Sequence, residues 1–336
     1  MSALPWVMIG KRLLATIPIL LGVTFLVVAS TELIPGSPAE KLSARGTMSA
    51  EQIREIEHLY GWDQPLPIRF LRYVGNVTRG DLGVSIHSKR AIAEEILEKV
   101  PATLELTAAA MLLAVILGVS IGVIAALRPF TLIDYGSMIV ALIGISFPVF
   151  WLGLIMQIAI FPSTQRIDFE FEVQTVTGLY LIDTAFWGEP GAFLSSLKHL
   201  ILPATALCTI PLAVIARMTR ASMMEVLTKD YVRTARAKGL ASQVVVVKHA
   251  LRNALIPVVT IAGIQFASLL GGAVLTETVF QWPGLGKYIY TAAFNEDLPA
   301  LQGAVLFVAL VFTVINLAVD VSYGLIDPRI RSGGGE

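Results

Sequence analysis

Six stretches of this chain are apolar for about the length a helix needs to cross a bilayer, roughly 20 residues. They fall at about 10–30, 102–127, 134–161, 200–217, 257–280 and 300–322. No other feature narrows the fold as much. Within hydrocarbon every backbone N–H and C=O must find a partner inside the protein, and uninterrupted apolar runs of this length meet that demand as helices. Composition agrees. Of 336 residues, 55% are hydrophobic and 15% charged, against about 25% charged in an ordinary soluble domain, and the mean hydropathy is +0.73. Net charge is zero, so no global field gathers nucleic acid, and no such partner is expected. The single cysteine, Cys208, sits in an apolar run and cannot build a disulfide or a thiolate cluster within the chain.

The spans differ in ways that matter. In 102–127 the one charge is Glu105, near the start. In 134–161, Pro148 follows Ser146 closely and predicts a kink, because a proline interrupts the hydrogen-bond ladder. The 200–217 stretch is the shortest and contains Pro203 and Pro211. Pro101, Pro203 and Pro299 are read as lying near helix starts, where a missing N–H costs little. Before the first span stand Lys11 and Arg12, as in a signal peptide. The run LLATIPILLGVTFLVVAS is too long for a signal h-region, however, and VASTE is a poor cleavage site, so a retained helix is expected.

Charge in the short connections sets the expected orientation. Arg217, Arg220, Lys229, Arg233, Arg236, Lys238, Lys248 and Arg252 face only Glu225 and Asp230 between the fourth and fifth spans. Arg329 and Arg331 follow the last span. By the positive-inside rule this connection and both termini are cytoplasmic. The long 31–100 segment then lies outside. There AEKLSARGTMSAEQIREIEHLYG can form an apolar stripe of Leu42, Ile53, Ile56 and Leu59, with Gly61 as its stop, and IAEEILEKV repeats the pattern. A small helical cap is expected there. A second outer segment, 162–198, is acidic and aromatic (DFEFE, then GLYLIDTAFWGEPG) and is expected at the membrane surface. The chain is thus divided into 1–30 (N-terminal region and first span), 31–100 (outer helical segment), 101–325 (core, with a cytoplasmic loop at 218–256) and a 326–336 tail.

Within that loop, DYVRTARAKGLASQ from Asp230 to Gln243 reads as helix, glycine turn, helix. Tyr231, Ala235 and Leu240 form a partly apolar face, and Gly239 permits a left-handed exit. Two readings stay open from these residues alone. The segment lies on anionic headgroups, or it presents a short helix to a cytoplasmic partner.

DYVRTARAKGLASQVVVVKHALRNALIPVVT resembles the "EAA" loop of ABC-importer permeases, in the form found in dipeptide, oligopeptide and nickel permeases. RFLRYVGNVTRGDLGVS, VPATLEL from Val100, VTGLYLID with HLILPA from His199, ETVFQWPGLGKYIYTA from Glu277 and YGLIDPRIR from Tyr323 are similar to other parts of the same family, in order along the chain. The resemblance implies an all-α polytopic membrane protein of type I ABC importer permease-like fold, with six transmembrane helices and an extracytoplasmic helical insertion after the first. It implies a multi-pass protein of a bacterial or archaeal plasma (inner) membrane, acting as the permease subunit of a binding-protein-dependent importer. Dipeptides or oligopeptides are the expected substrate. A nickel or metal-chelate importer of the same family is the alternative, and an ion-coupled secondary transporter a more distant one. The implied partners are a second, homologous permease, two cytoplasmic ATPases and an extracytoplasmic binding protein, besides membrane lipid. The implied ATPase-coupling residues are Tyr231, Arg233, Thr234, Ala235, Ala237 and Gly239. Aligned on Gly239, the family's glutamate position holds Arg233, its first alanine position Thr234, and its late proline position Arg252. The chain therefore departs from the general pattern at three places.

No nucleotide site of its own is expected. GLGKY at Gly284 lacks the glycine spacing and the hydroxyl of a phosphate-binding loop. ATP and magnesium belong to the implied ATPases, and the chain is read as a non-enzyme without cofactor or metal. His58, His87, His199 and His249 show no ligand spacing. Ser146, Gln157, Gln265, Thr276 and Asp320 are candidates for a translocation path or gate, since polar groups inside a membrane are costly and often functional. Glu105 and Glu277 are expected to be solvated at outer helix ends.

Overall fold

The computed structural model describes residues 4–30, 49–160 and 164–326. Leu42, the tail from residue 327 and the side chains of Ile53, Ile56, Leu59 and Asp320 lie outside the described residues. In chain order the helices are α1 (Leu4–Ala29), α2 (Ala50–Tyr60), α3 (Leu66–Val77), α4 (Ile92–Leu127), α5 (Leu132–Ser146), α6 (Val149–Ala159) and α7 (Tyr180–Trp187). They continue with α8 (Ala192–Leu227), α9 (Asp230–Ala237), α10 (Ser242–Val244), a wide π-helical turn at Val245–Leu251, α11 (Arg252–Gly272), α12 (Val274–Val279), α13 (Leu285–Phe294) and α14 (Leu298–Ile326).

Among the described residues four helical segments are long and apolar enough to cross a membrane: Ile92–Leu127, Ala192–Leu227, Ser242–Gly271 and Leu298–Val319. Counting the bent pair α5–α6 as one gives five, and the apolar part of α1, Leu14–Ala29, is shorter. The expected kink at Pro148 is a break of 99° between α5 and α6. Phe147 is extended and Pro148 occupies the cap position of α6, where it supplies neither an N–H nor a capping side chain.

Three expectations are corrected. The 200–217 stretch is not the shortest helix but part of the 36-residue α8, with Pro203 and Pro211 both inside it. Pro101 likewise lies within α4 rather than near its start, so IAEEILEKV and the second span form one helix. The fifth span does not run unbroken to 280. It divides at Ala273 into α11 and α12.

The chain forms two compact units, residues 1–100 with 287–314, and residues 101–286 with 315–336. In the first, α2 begins at a capping box. Ser49 Oγ accepts from Gln52 N at 3.3 Å, while the Gln52 side chain accepts from Ser49 N at 2.8 Å. As expected, Gly61 ends the helix in the left-handed region, at φ +69°. Phe25 of α1 meets Phe70 of α3 edge-on, with ring centres 5.8 Å apart. Asp297 is buried before α14. Its carboxylate accepts from Ser85 Oγ at 2.6 Å and from Ala300 N at 3.2 Å, tying the 84–91 turn to that helix start.

The second unit is built around α8, which packs on α5, α6, α7, α11 and α12. Two-thirds of its apolar window is buried (67%), against 28% for Ser242–Gly271, so α8 is the core helix of this unit. One core cluster joins Leu106, Ala110 and Ala114 of α4 to Leu200, Ala204 and Leu207 of α8, with Trp282. Small residues let the backbones close in. A Cβ on Gly122 would meet Thr219 Cβ at 2.6 Å and the Ala216 carbonyl at 2.7 Å, the arrangement expected where helices pack in lipid without a hydrophobic driving force between them.

Candidate functional site

The basic loop folds as a helix, a glycine turn and a second helix. Val232 and Ala235 lie three apart, on one face of α9. Both are buried, and they pack with Val245 and the partly buried Val226 and Leu227. Burying a side chain the size of Val232 stabilises by about 1.5–3 kcal/mol, so one face of this short helix is already committed. Tyr231 and Leu240, expected on that apolar face, are instead 43% and 42% exposed. Of the expected face only Ala235 is buried, and Val232 takes the place beside it.

α9 ends in a Schellman turn. Leu240 N donates to the Ala235 carbonyl at 3.4 Å and Gly239 N to the Arg236 carbonyl at 3.0 Å, with Gly239 at φ +74°. A Cβ on Gly239 would meet nothing within 4 Å, so backbone conformation alone favours glycine there.

The outward surface of α9 carries Tyr231, Arg233, Thr234, Arg236, Ala237 and Lys238, with Gly239 at its end. Arg233 reaches Asp230 at 3.4 Å, Thr234 Oγ1 donates to the Asp230 carbonyl, and the Tyr231 hydroxyl accepts from Asn253 Nδ2 at 3.1 Å. Of the six sequence-predicted loop residues, only Ala235 faces inward. Val232 and Val245, which hold the helix in place, were missed. The i, i+3 spacing of Val232 and Ala235 was the signal.

Beyond the turn, Val245 packs toward α9, while the adjacent Val246 packs with Ala250, Ala254, Met223 and Ala126. These neighbours in the π-helical turn thus belong to two apolar clusters, both flanked by Val226 and Leu227. At the foot of α8, Arg220 holds Asp134 of α5 with Nε to Oδ1 at 2.6 Å and Nη2 to Oδ2 at 2.6 Å. Asp134 is only 1% exposed and also accepts from Phe130 N at 2.9 Å.

The polar candidates for a path separate into two groups. Gln265 and Thr276 line one cavity of about 320 Å³, with Pro148, Phe150, Leu207, Ile210 and Ser268. Ser146 and Gln157 do not line it. Ser146, two residues before Pro148 at the end of α5, donates to the Leu142 carbonyl at 3.2 Å. Gln157 of α6 donates to the Val279 carbonyl at 3.4 Å. The side chain of Asp320 lies outside the described residues.

Glu105 and Glu277 are not solvated, contrary to expectation. Glu277 is 0% exposed and accepts from Thr103 Oγ1 at 2.6 Å, and Thr103 Oγ1 in turn accepts from Leu285 N at 2.8 Å. Its carboxylate fills the space where a Cβ on Gly284 would stand, so GLG shapes a seat for a carboxylate rather than a phosphate loop. Glu105 is 8% exposed. It takes Arg166 Nη2 at 2.6 Å and Nε at 3.2 Å, plus Leu181 N at 2.7 Å. Arg166 also donates to the Gly178 carbonyl at 2.7 Å and lies 3.7 Å over the Tyr180 ring. Nothing in linear sequence marks residues 61 apart as partners.

Close by, Asp183 of α7 accepts from Thr177 Oγ1 at 2.7 Å and from the N–H groups of Thr177, Gly178 and Val176 at 2.9–3.3 Å. Burial pushes its carboxyl pKa up, but these four hydrogen bonds prevail and hold it below the ordinary aspartate value. Among the described residues no group of three or more His, Cys, Asp or Glu is placed to hold a metal ion.

Residues 118–332 match the family described as the binding-protein-dependent transport system inner membrane component. Similarity to individual proteins spans almost the whole chain. The "Di/tripeptide transport system permease protein DppB" of Pseudomonas aeruginosa (strain UCBPP-PA14) is 49% identical over 330 residues, covering 96% of this chain and 98% of that protein. The "Dipeptide transport system permease protein DppB" of Escherichia coli (strain K12) is 44% identical over 330 residues, covering 96% and 97%. The "Glutathione transport system permease protein GsiC" of Salmonella paratyphi A (strain ATCC 9150 / SARB42) is 42% identical over 322 residues, again covering 96% and 97%.

Proposed function

The chain belongs to the family of binding-protein-dependent transport system inner membrane components, and from that membership we propose that it is the permease subunit of an ATP-driven importer of dipeptides or oligopeptides. The observation that carries the substrate class is near-full-length similarity to proteins named as dipeptide and di/tripeptide permeases. The chain forms the pathway together with a second permease. It receives peptide from an extracytoplasmic binding protein and is driven by two cytoplasmic ATPases, which supply the ATP and magnesium sites. Its termini and the 218–256 loop face the cytoplasm of a cell bounded by this inner membrane.

Energy enters at α9. A helix held by one apolar face, with Arg233, Thr234 and Ala237 outward and a fixed glycine turn behind it, supports a contact that moves as a rigid piece. Nucleotide-driven closure of the ATPase pair then biases the membrane helices between two states through that contact. The departure at Arg233 means that the contact is made without the family's glutamate charge. To test this, the 230–240 segment is scrambled in the assembled complex. Loss of ATPase co-purification and of ATP-dependent peptide uptake is expected, and retention of both overturns the coupling role.

A further inference from the structure

The break at Pro148 leaves backbone donors unspent. α6 starts at Val149 with no side-chain cap, and its first backbone bond runs from Leu152 N to the Pro148 carbonyl at 3.0 Å. Among the described residues the N–H groups of Val149, Phe150 and Trp151 have no hydrogen-bond acceptor. Free backbone donors at membrane depth are tolerated where they line a cavity or are buried in protein, and Val149 and Phe150 line the cavity of about 320 Å³.

The side chains around that cavity repeat the observation. Thr276 is 1% exposed and lines the cavity, yet its hydroxyl makes no hydrogen bond among the described residues. Neither does Ser268 Oγ or the Gln265 amide. Elsewhere on the same framework hydroxyls fold back onto their own helix. Thr278 donates to the Val274 carbonyl, Thr205 to that of Ile201, and Ser146 to that of Leu142. The cavity thus gathers a helix N-terminus and three donor side chains with unused capacity. Among the described residues no acidic side chain lines it, and Leu207, Ile210 and Phe150 give it apolar walls.

We infer that this cavity is a subsite for the C-terminal carboxylate of the transported peptide, with Thr276, Gln265, Ser268 and the N–H groups of Val149 and Phe150 as its donors. The inference rests on the peptide-importer reading and adds where, and by which end, the peptide is held within this subunit. The positive end of α6 favours an anion. Donors without acidic neighbours select a carboxylate over the peptide's amino group. The volume lies at the small end of the range for ligand pockets, about 300–1,000 Å³, which suits the terminal residue of a short peptide. Its apolar side chain would contact Leu207 and Ile210.

The test is direct binding to the assembled complex (both permeases and the ATPases) in nanodiscs without the binding protein, so that selection upstream is removed. The probes are alanyl-phenylalanine and its C-terminal amide. Wild type is expected to hold the free acid about tenfold or more tightly than the amide, the worth of a charge-assisted hydrogen bond. Thr276→Val and Gln265→Leu are each expected to erase most of that preference, while Thr276→Ser keeps it. ATP hydrolysis and subunit co-purification are read in parallel to show that the complex is intact. Equal binding of acid and amide by wild type, binding of neither, or an unchanged preference in both Thr276→Val and Gln265→Leu overturns the subsite. A complex that fails to assemble with ATPases, or to drive peptide uptake with wild-type sequence, overturns the importer reading instead.

Discussion

Arg220 grips Asp134 through two parallel bonds, both 2.6 Å long, and Asp134 has almost no surface of its own to offer water. Removing the arginine strands a buried carboxylate, which costs about 3–5 kcal/mol. Arg220→Ala is therefore expected to lower the thermal midpoint of the detergent-solubilised protein markedly. Arg220→Lys keeps the charge but loses the fork, and is expected to fall between the two. Identical melting of all three proteins would contradict this account of the pair.

The Glu105–Arg166 pair is buried on both sides, 6% exposed at each side chain. Glu105→Gln leaves a buried guanidinium short of its counter-charge and is expected to destabilise by about 3 kcal/mol. Arg166→Met is expected to do the same to Glu105. The double variant recovers part of the loss, because neither charge is then stranded. A double-mutant cycle on thermal or denaturant unfolding measures the coupling, and additivity of the two single effects would refute it.

Gly239 is constrained by its backbone and by nothing else. Gly239→Ala is expected to cost about 1–2 kcal/mol for a left-handed residue, and Gly239→Asn less. Because Leu240 N closes the Schellman turn onto Ala235, amide exchange at Leu240 reports the change directly. It should quicken several-fold in the alanine variant. No difference between alanine and glycine would mean that the turn is not held in this conformation.

Asp183 makes the 176–179 turn sensitive to acid. Its pKa lies below the ordinary value of 3.8 in the folded chain, so its stabilising effect is fully present above that value and is lost as pH falls through the lower, folded pKa. Limited proteolysis of the turn is expected to be flat from neutral pH down to about 4, then to rise. Asp183→Asn should show the loosened pattern already at neutral pH. Equal cleavage of variant and wild type at pH 7 would refute the role.

Local features were legible in the sequence where they depend on neighbours along the chain. Gly61 and Gly239 were readable as left-handed stops because a helix pattern ends at each. Pro148 was readable as an interruption, although not as a break of 99°, since the angle depends on what α6 packs against. Gln265 and Thr276 were readable as polar groups within apolar runs, but their meeting on one cavity required the fold. Prolines 101 and 203 misled because the penalty for a proline inside a helix is local, while the packing that offsets it is tertiary. Glu105 and Glu277 misled for the same reason. Their partners are brought in by the fold, Arg166 on a loop and Thr103 on the packed helix α4, and hydropathy records neither meeting. On α9, Ala235 packs as the sequence predicts, but the buried place beside it belongs to Val232 and not to Tyr231, because the packing of α9 on Val226, Leu227 and Val245 is tertiary.

At 1.5 Å per residue, the 36 residues of α8 give about 54 Å of helix, far more than the roughly 30 Å of hydrocarbon. One end is fastened by Ser195 and His199 to Asp168, the other by Arg220 to Asp134. Between the fastenings Pro203 and Pro211 each delete a rung of the ladder, and Pro211, Leu207 and Ile210 lie against the cavity. A rod pinned at both ends and thinned in the middle gives way in the middle. Any flexure of α8 is therefore concentrated at the wall of the cavity, between its two fastenings.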